Sequence, residues 1–172
     1  MSEQHIFLVG PMGVGKTSVG RQLASLLHRP FVDVDAEIES RCGADIQWIF
    51  DMEGEAGFRK RETKVLSDIV TSSASSVIAT GGGVVMTKEN RKILQSSGQV
   101  IYLCVSKEQL YERMRRDKSR PLLQVENREQ VIDDLIELRD PLYREIADVV
   151  FAAEAGSAHR VAKVLLDELS KH

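Results

Sequence analysis

A run of eight residues near the amino terminus constrains the fold of this chain more than any other feature. Residues 10–17 read GPMGVGKT and fit the pattern G-x-x-x-x-G-K-[ST] at every fixed position. The run directly follows the apolar segment Ile6–Val9 and precedes an amphipathic pattern over residues 19–27. A buried strand that turns into a helix is the context in which this motif forms a phosphate-binding loop.

Each residue type in this loop has a chemical reason. Glycines let backbone N–H groups turn inward around a polyphosphate, and the following helix adds the positive end of its dipole. Lys16 reaches the β- and γ-phosphate oxygens, and the Thr17 hydroxyl binds the Mg²⁺ that bridges them. We therefore predict that the chain binds a nucleoside triphosphate with Mg²⁺. The predicted nucleotide-binding residues of this region are Gly13, Val14, Gly15, Lys16, Thr17 and Ser18.

Short apolar runs alternate with longer helical patterns along the chain. This alternation predicts an α/β fold of the P-loop nucleoside triphosphatase class, with a five-stranded parallel sheet and helices on both faces. Residues 36–76 have a helical pattern throughout, which is longer than one crossover needs. A later helix carries the predicted apolar stripe Val131, Leu135, Leu138 and Leu142. The strand candidates are Ile6–Val9, Phe31–Val34, Val77–Thr80, Val100–Val105 and Asp148–Phe151.

Composition limits the classes of protein to which this chain can belong. Its 172 residues, of which 42% are hydrophobic, suit one globular domain over residues 1–172. A formal net charge of −3 argues against nucleic acid as the main partner. No apolar run approaches the ~20 residues that a membrane span needs. Because Cys42 and Cys104 are far apart and the amino terminus is polar, we expect a cytoplasmic protein, and we expect a monomer.

Two acidic residues follow the second predicted strand. Residues 31–35 read FVDVD, and period-two alternation places Asp33 and Asp35 on one face at the carboxyl end of that strand. In a doubly wound sheet this end lies beside the phosphate-binding loop. One carboxylate there would lie near the metal and the other near an acceptor hydroxyl. For Asp35 the alternative is an N-cap of a helix over residues 36–41.

Glycines and arginines mark two further segments. Gly81, Gly82 and Gly83 follow the third strand, where they either let the backbone approach a ligand closely or form a flexible left-handed turn. Arg59 and Arg61 open a helix inside the long helical region. A basic residue near a helix N-terminus opposes the dipole, which suggests an anion there. The alternative is a solvated charged face.

The second half of the chain contains a basic run and an unusual proline. Residues 113–120 are rich in arginine and lysine, end at Pro121, and lead into an aperiodic segment. In a phosphate-binding enzyme such a segment suits a closing lid, whereas a solvated face is the alternative. Pro141 interrupts a helical stripe, so we expect the helix to end or kink near Asp140 and to redirect Arg139.

Together these motifs resemble one family, the shikimate kinases. The resemblance runs from residue 6 to about residue 151, in family order. The phosphate-binding loop alone is generic, whereas its combination with the other motifs is specific. The residues that carry the resemblance are Gly10–Thr17, Asp33-x-Asp35, Gly54-Glu55-x-Gly57-Phe58-Arg59-x-x-Glu62, Gly81-Gly82-Gly83, Arg120-Pro121-Leu122 and Arg139-x-Pro141-Leu142-Tyr143.

The resemblance implies an activity and an architecture. Shikimate kinases transfer the γ-phosphate of ATP to the 3-hydroxyl of shikimate, on the pathway to chorismate and the aromatic amino acids. The implied cofactor is Mg²⁺, with ATP as co-substrate. The implied fold is similar to that of the nucleoside-monophosphate kinases, with substrate-binding helices inserted at about residues 36–62 and a lid at about residues 113–127.

The resemblance also implies where the acceptor binds. Asp35 would hold the ring hydroxyls of shikimate, and either accept the proton of the 3-hydroxyl or only orient that group. Arg59 and Arg139 would bind the shikimate carboxylate. The backbone at Gly81 and Gly82 would line the same pocket.

On the nucleotide side, the resemblance implies three further roles. Lys16, together with Asp35 and Arg120, would be catalytic, with Arg120 meeting the transferring phosphate from the lid. Arg113 would lie against the adenine. The metal would be held by the Thr17 hydroxyl and, through water, by Asp33.

Two other functions stay open. Another small-metabolite or nucleotide kinase, such as a gluconate kinase, shares the phosphate-binding loop and the lid arginines, but the Asp33-x-Asp35 pair with a triple glycine is not its pattern. A P-loop switch that controls a partner is the second alternative. It lacks support because the sequence has no Asn-Lys-x-Asp guanine signature, and its acids and arginines have no role without an acceptor.

Overall fold

One parallel sheet forms the centre of the protein. The computed structural model describes residues 4–72, 74–116, 127–153 and 156–171. Within them the strands are β1 (His5–Val9), β2 (Phe31–Asp33), β3 (Val77–Ala79), β4 (Gly98–Cys104) and β5 (Val149–Ala152). All pairings are parallel, in the order β2-β3-β1-β4-β5. The predicted five-stranded parallel sheet is therefore confirmed.

The described residues contain seven α-helices, six between strands and one after β5, and a short 3₁₀ turn covers Val84–Met86. The helices are α1 (Lys16–Leu27), α2 (Val34–Cys42), α3 (Ile46–Ser72), α4 (Lys88–Ser97), α5 (Lys107–Arg116), α6 (Arg128–Ile146) and α7 (Ala158–Leu169). Helix α3 has non-helical backbone at Gly54 (φ 71°, ψ −179°), so it consists of two segments. In the described part of the chain, no helix combines the length and hydropathy needed to cross a membrane.

Strand β1 is buried on both faces. Ile6 and Leu8 belong to an apolar layer shared with α1 and α7. Phe7 and Val9 belong to a second layer, shared with α2, α3, α4 and α6. Since successive side chains of a strand point to opposite faces, a strand between two helical layers is apolar at every position. This explains why residues 6–9 form a continuous apolar run.

The strand order brings three carboxyl ends together. β3 lies between β2 and β1, and Thr80 fastens it to β1 with two hydrogen bonds to the Leu8 carbonyl, at 3.1 Å from the amide and 2.9 Å from the hydroxyl. The loop after β1, the start of α2 and the glycine segment after β3 therefore meet at one edge. Open α/β sheets bind their ligands in the crevice at this edge.

The end of β2 corrects one prediction. The strand stops at Asp33, and Val34 and Asp35 already belong to α2, so the predicted alternation through Asp35 is wrong. Asp33 is also the N-cap, in place of Asp35: its Oδ1 accepts a hydrogen bond from the Ala36 amide at 3.1 Å. A carboxylate that caps free amides begins the helix earlier than the hydrophobic pattern suggests. Asp35 lies in the first helical turn.

Helix α6 corrects two more expectations. It continues through Pro141 to Ile146, so an end near Asp140 is wrong. Leu138, in the predicted apolar stripe, is 54% exposed. The buried face includes two polar residues, Tyr143 and Arg139, of which Arg139 lines the cleft described below, so apolar periodicity alone misplaces it. The buried residues of α6 are Ile132, Arg139, Tyr143 and Ile146.

Candidate active site

A cleft of about 720 Å³ opens at the carboxyl edge of the sheet. The phosphate-binding loop, α2, α3, the glycine segment after β3 and α6 form its walls. The structure thus brings together most of the residues that the sequence predicts. Those that line the cleft are Gly13, Gly15, Lys16, Thr17, Ser18, Asp33, Asp35, Arg59, Gly81, Gly82 and Arg139.

The phosphate-binding loop forms one end of this cleft. Gly15 has left-handed backbone (φ 99°), which glycine adopts without strain, and α1 begins directly after it. Lys16 Nζ donates to the carbonyls of Gly10 at 2.7 Å and Pro11 at 2.9 Å, so the ammonium lies against the loop. Val14 does not line the cleft, because its side chain is buried in the core layer beside α1. Only its backbone is available to a ligand.

Thr17 and Asp33 meet beside the loop. Thr17 Oγ1 donates to Asp33 Oδ2 at 2.8 Å, while Asp33 Oδ1 caps α2. Both side chains offer oxygen, the ligand atom that Mg²⁺ prefers. Because the Thr17 hydroxyl donates its hydrogen to Asp33, the lone pairs of the hydroxyl oxygen are available to a cation. The pair therefore fits a magnesium ion that also binds phosphate oxygens.

The glycine segment after β3 has no room for side chains. A Cβ atom on Gly81 would lie 2.9 Å from Asp35 Oδ1 and 3.2 Å from Glu62 Oε2. A Cβ atom on Gly83 would lie 2.2 Å from Arg59 Nη2. None of the three consecutive glycines has a positive φ, so the alternative of a left-handed turn is wrong. Close approach of the backbone to charged groups explains these glycines.

Arg59 and Arg139 reach the cleft from different helices, α3 and α6. Arg59 on α3 donates to Glu62 Oε1 at 3.0 Å and to Glu55 Oε2 at 3.2 Å. Arg139 on α6 is 4% exposed, and its Nε finds no hydrogen-bond partner among the described residues. Burial lowers the pKa of Arg139, yet an arginine stays charged at neutral pH. A buried guanidinium with an unused donor fits an anionic ligand.

Tyr143 holds α6 against the glycine segment. Its hydroxyl donates to the Gly82 carbonyl, and its ring packs on Tyr102 with the ring centroids 4.8 Å apart. Tyr102 in turn donates to Asp140 at 2.7 Å. These contacts fix the register of α6 over the sheet and, with it, the position of Arg139. Tyr143 stands in a motif that carries the family resemblance, but its position in the sequence does not indicate this role.

Glu62 is a second residue to which the sequence analysis gave no role. Its side chain is fully buried, and Oε2 has no hydrogen-bond partner in the described part of the chain. Burial raises the pKa of Glu62 to about 7, with the charge of Asp35 adding to the rise and Arg59 and Arg139 opposing it. An acid three residues after Arg59 was visible in the sequence, but this spacing is also typical of solvated ion pairs.

Most of the other residues that line the cleft come from α2 and α3, whereas Met12 belongs to the phosphate-binding loop and Asp45 precedes α3. Their apolar members looked like ordinary core residues in the sequence, because helical periodicity does not separate a cleft wall from a core. These unassigned residues are Met12, Glu39, Asp45, Ile46, Gln47, Phe50 and Phe58.

Of the other two predicted arginines, one is described and does not line the cleft, and the other lies outside the described residues. Arg113 on α5 is half-buried and contacts the phosphate-binding loop, where its Nη1 donates to the Gly13 carbonyl at 3.0 Å. Its position against an adenine stays a prediction. Arg120 lies outside the described residues, as do residues 117–126 of the predicted lid, so the role of the lid also stays a prediction.

Comparison with known proteins decides the family. A family model described as shikimate kinase matches residues 12–170. The chain belongs to the shikimate kinase family. A shikimate kinase of Pseudomonas paraeruginosa is 53% identical over 167 residues, which cover 97% of this chain and 96% of the relative. The expectation of a kinase of this family is therefore confirmed.

Solved structures agree with this assignment. A structure described as shikimate kinase from Acinetobacter baumannii in complex with shikimate matches with a TM-score of 0.94 and 49% identity, over 99% of this chain and 94% of that one. A gluconokinase from Sinorhizobium meliloti matches with a TM-score of 0.57 and 18% identity, over 98% of this chain and 93% of that one. The second likeness shows the fold alone. The predicted P-loop kinase fold is confirmed.

The buried carboxyl of Glu62 predicts a pH dependence of stability. Its pKa of about 7 in the folded protein exceeds its ordinary value of 4.5, so folding favours the protonated form. The protonated carboxyl of Glu62 stabilises the folded protein fully below pH 4.5, and this stabilisation is lost as the pH rises from 4.5 toward 7. From pH 5 to pH 8, the free energy of unfolding measured with urea should fall by roughly 2–3 kcal/mol more for the wild type than for Glu62→Gln.

The comparison isolates Glu62 because all other titrating groups are common to the two proteins. Glutamine keeps the shape of the side chain and cannot ionise. Parallel pH profiles for the two proteins would show that Glu62 titrates at its ordinary pKa.

Proposed function

We propose that this member of the shikimate kinase family transfers the γ-phosphate of ATP to the 3-hydroxyl of shikimate, giving shikimate 3-phosphate and ADP. One observation carries the proposal: a phosphate-binding loop, two arginines and two carboxylates line a single cleft. The relative described with bound shikimate supports the choice of acceptor.

At the nucleotide end, the loop amides surround the phosphates of ATP. Lys16 now bonds to two loop carbonyls, and a β- or γ-phosphate oxygen would take the place of one of them. The short movement this requires suits a mobile point charge. The residues proposed to bind ATP here are Gly13, Val14, Gly15, Lys16, Thr17 and Ser18.

Thr17 and Asp33 would hold Mg²⁺, Thr17 directly and Asp33 through water. The hydrogen bond from Thr17 to Asp33 fixes the hydroxyl hydrogen, and both residues line the cleft. When bound, the ion neutralises negative charge on the phosphates. Lys16 lies on the same loop and adds a second positive charge at that end of the cleft.

At the acceptor end, Arg59 and Arg139 bind the shikimate carboxylate. Arginine can pair with a carboxylate through two parallel hydrogen bonds, each contributing roughly 1.5–3 kcal/mol. The contact between Arg59 and Glu55, which is 52% exposed, can be exchanged for the substrate carboxylate, while buried Glu62 keeps Arg59 oriented. The backbone of Gly81 and Gly82 forms the adjacent wall.

Asp35 is proposed to accept a hydrogen bond from the 3-hydroxyl and to take its proton as the phosphate is transferred. Asp35 lines the cleft and lies against Gly81. It is in the first turn of α2, which begins directly after Asp33, a residue that is proposed to hold the metal. Phosphoryl transfer depends on alignment and charge neutralisation more than on covalent chemistry. The reaction therefore needs a fixed 3-hydroxyl and a nearby group that takes its proton. Asp35 would orient the hydroxyl and take the proton.

Two lid residues complete the proposal. Arg120 would reach the transferring phosphate from the lid and add positive charge, and Arg113 would lie against the adenine. Closure of the lid would exclude water, which competes with the 3-hydroxyl for the phosphate. We also propose that the enzyme acts as a monomer in the cytoplasm, where its free thiols Cys42 and Cys104 would stay reduced.

The acceptor specificity tests the proposed function. ADP release from MgATP is measured with shikimate, with gluconate and with a set of nucleoside monophosphates, each added separately. We expect acceptor-dependent turnover with shikimate only. Turnover with gluconate or a nucleotide instead would contradict the acceptor assignment but not the nucleotide site, and ADP release indifferent to every acceptor would indicate a P-loop switch or simple NTPase.

Removing the buried arginine should separate the two ligands. In Arg139→Ala, shikimate binding should weaken roughly 10- to 100-fold, because at least one charge-assisted hydrogen bond is lost. ATP binding should stay within a factor of about two, since Arg139 is not one of the residues proposed to bind ATP. Isothermal calorimetry with each ligand checks this. Arg160→Ala, on the exposed face of α7, is the control, and equal loss of both ligands would contradict the assignment.

Replacing the proposed proton acceptor should slow turnover. Asp35→Asn keeps the size of the side chain but cannot take a proton, so we expect kcat to fall by roughly 10²-fold or more. The KM for shikimate should change much less. Steady-state kinetics with Asp45→Asn as the control checks this, since Asp45 lines the same cleft. A near wild-type rate would remove Asp35 from the mechanism.

A further inference from the structure

Helix α3 forms two walls of the cleft, one on each side of its bend at Gly54. The segment over residues 46–53 contributes Ile46, Gln47 and Phe50 to the cleft. The segment over residues 55–72 contributes Phe58, Arg59 and Glu62. The angle between the two segments therefore sets the shape of the acceptor end. Whatever fixes that angle also fixes the distance between an apolar wall and Arg59.

An ion pair crosses this bend. Arg61 donates from Nε to Glu53 Oε1 and from Nη2 to Glu53 Oε2, both at 2.7 Å. In a straight helix, residues eight positions apart are separated by about 12 Å along the axis. A two-bond contact between them is possible only because the backbone leaves helical geometry at Gly54. The pair therefore belongs to the bend.

A glycine completes the contact. A Cβ atom on Gly57 would lie 2.4 Å from the Cβ atom of Glu53, so Glu53 packs directly on the bare backbone of Gly57. A side chain at this position would push the first segment of α3 outward. We call Glu53, Gly57 and Arg61 the kink clasp.

We propose that the kink clasp is a positioning device that sets the affinity of the enzyme for its acceptor. It holds the first segment of α3 at the angle that forms the acceptor end of the cleft. None of its three residues is among the described residues that line the cleft, so it acts through Phe50 and Arg59 rather than by touching substrate. The inference rests on the proposed function for the identity of the acceptor.

The chain offers a matched control for this role. Arg61 and Arg41 have side chains that are both 39% exposed, and each makes a 2.7 Å hydrogen bond to an acidic residue of α3. Arg41 bonds to Asp68 and joins α2 to the second segment of α3, so its contact does not cross the bend. Exposed ion pairs of this kind contribute little to stability. If both ion pairs only stabilised the fold, replacing either arginine would have the same effect on shikimate binding.

The experiment compares Arg61→Gln with Arg41→Gln in the full chain. For Arg61→Gln we expect the Kd for shikimate, measured by isothermal calorimetry, and the KM for shikimate to rise about three- to fivefold. The KM for ATP and kcat should stay at the wild-type values. The melting temperatures of the two variants should agree within about 2 °C. Arg41→Gln should leave all these constants unchanged.

Two further variants make the test independent of any one substitution. In a double-mutant cycle, Glu53→Gln should raise the shikimate Kd as much as Arg61→Gln does, and the double variant should be no worse than either single one. Gly57→Ala should raise the shikimate KM while leaving the KM for ATP unchanged, because the added methyl group displaces Glu53.

Three results would overturn the inference: equal effects of Arg61→Gln and Arg41→Gln, a parallel rise in the KM for ATP, or additive effects of Glu53→Gln and Arg61→Gln. Failure of the proposed function is distinguishable, since the wild type would then show no turnover with shikimate. If gluconate or a nucleotide were the acceptor instead, the same comparison is made with that acceptor.

Discussion

Charges taken out of water at the acceptor end of the cleft constrain everything around them. Arg139 is 4% exposed and Glu62 is fully buried, and a buried charge is tolerated only when opposite charges and hydrogen bonds surround it. Arg59 bonds to Glu62, and Glu62 also lies near Asp35 across Gly81. Two arginines and two carboxylates thus balance. With Glu62 protonated, which its pKa of about 7 permits, and with the half-exposed Glu55 displaced from Arg59, one positive charge remains for an anionic substrate.

The sheet explains why these four charges can be assembled at all. Asp35, Arg59 and Arg139 come from α2, α3 and α6, far apart in the sequence, and they meet because β2, β3 and β1 end at one edge. Thr80 locks two of those strands together through the Leu8 carbonyl. The glycines after β3 then leave room for the carboxylates and guanidinium that press against them. The position of the site follows from topology, and its polarity follows from side chains that topology brings into contact.

The sequence predicted the parallel sheet, the phosphate-binding loop and most of the cleft, because these depend on local patterns. A continuous apolar run identifies β1, and a complete loop motif identifies the nucleotide site. It misplaced the end of β2, because capping by Asp33 competes with strand alternation through Asp35. It also misplaced the buried face of α6, because that face includes Tyr143 and Arg139, which lie against Gly82, as well as apolar residues. Such contacts are tertiary, and spacing along the chain does not encode them.

The segment from Gly54 to Glu62 combines both kinds of information. Phe58, Arg59 and Glu62 contribute side chains to the cleft, as a motif of binding residues would. The two glycines have a different reason: Gly54 supplies the left-handed φ at the bend, and Gly57 makes space for Glu53. An arginine two residues after Arg59 completes the contact across the bend, so neighbouring basic residues on one helix have separate roles. The segment thus carries the charged groups of an anion site together with the two glycines that shape the backbone on which those groups are presented.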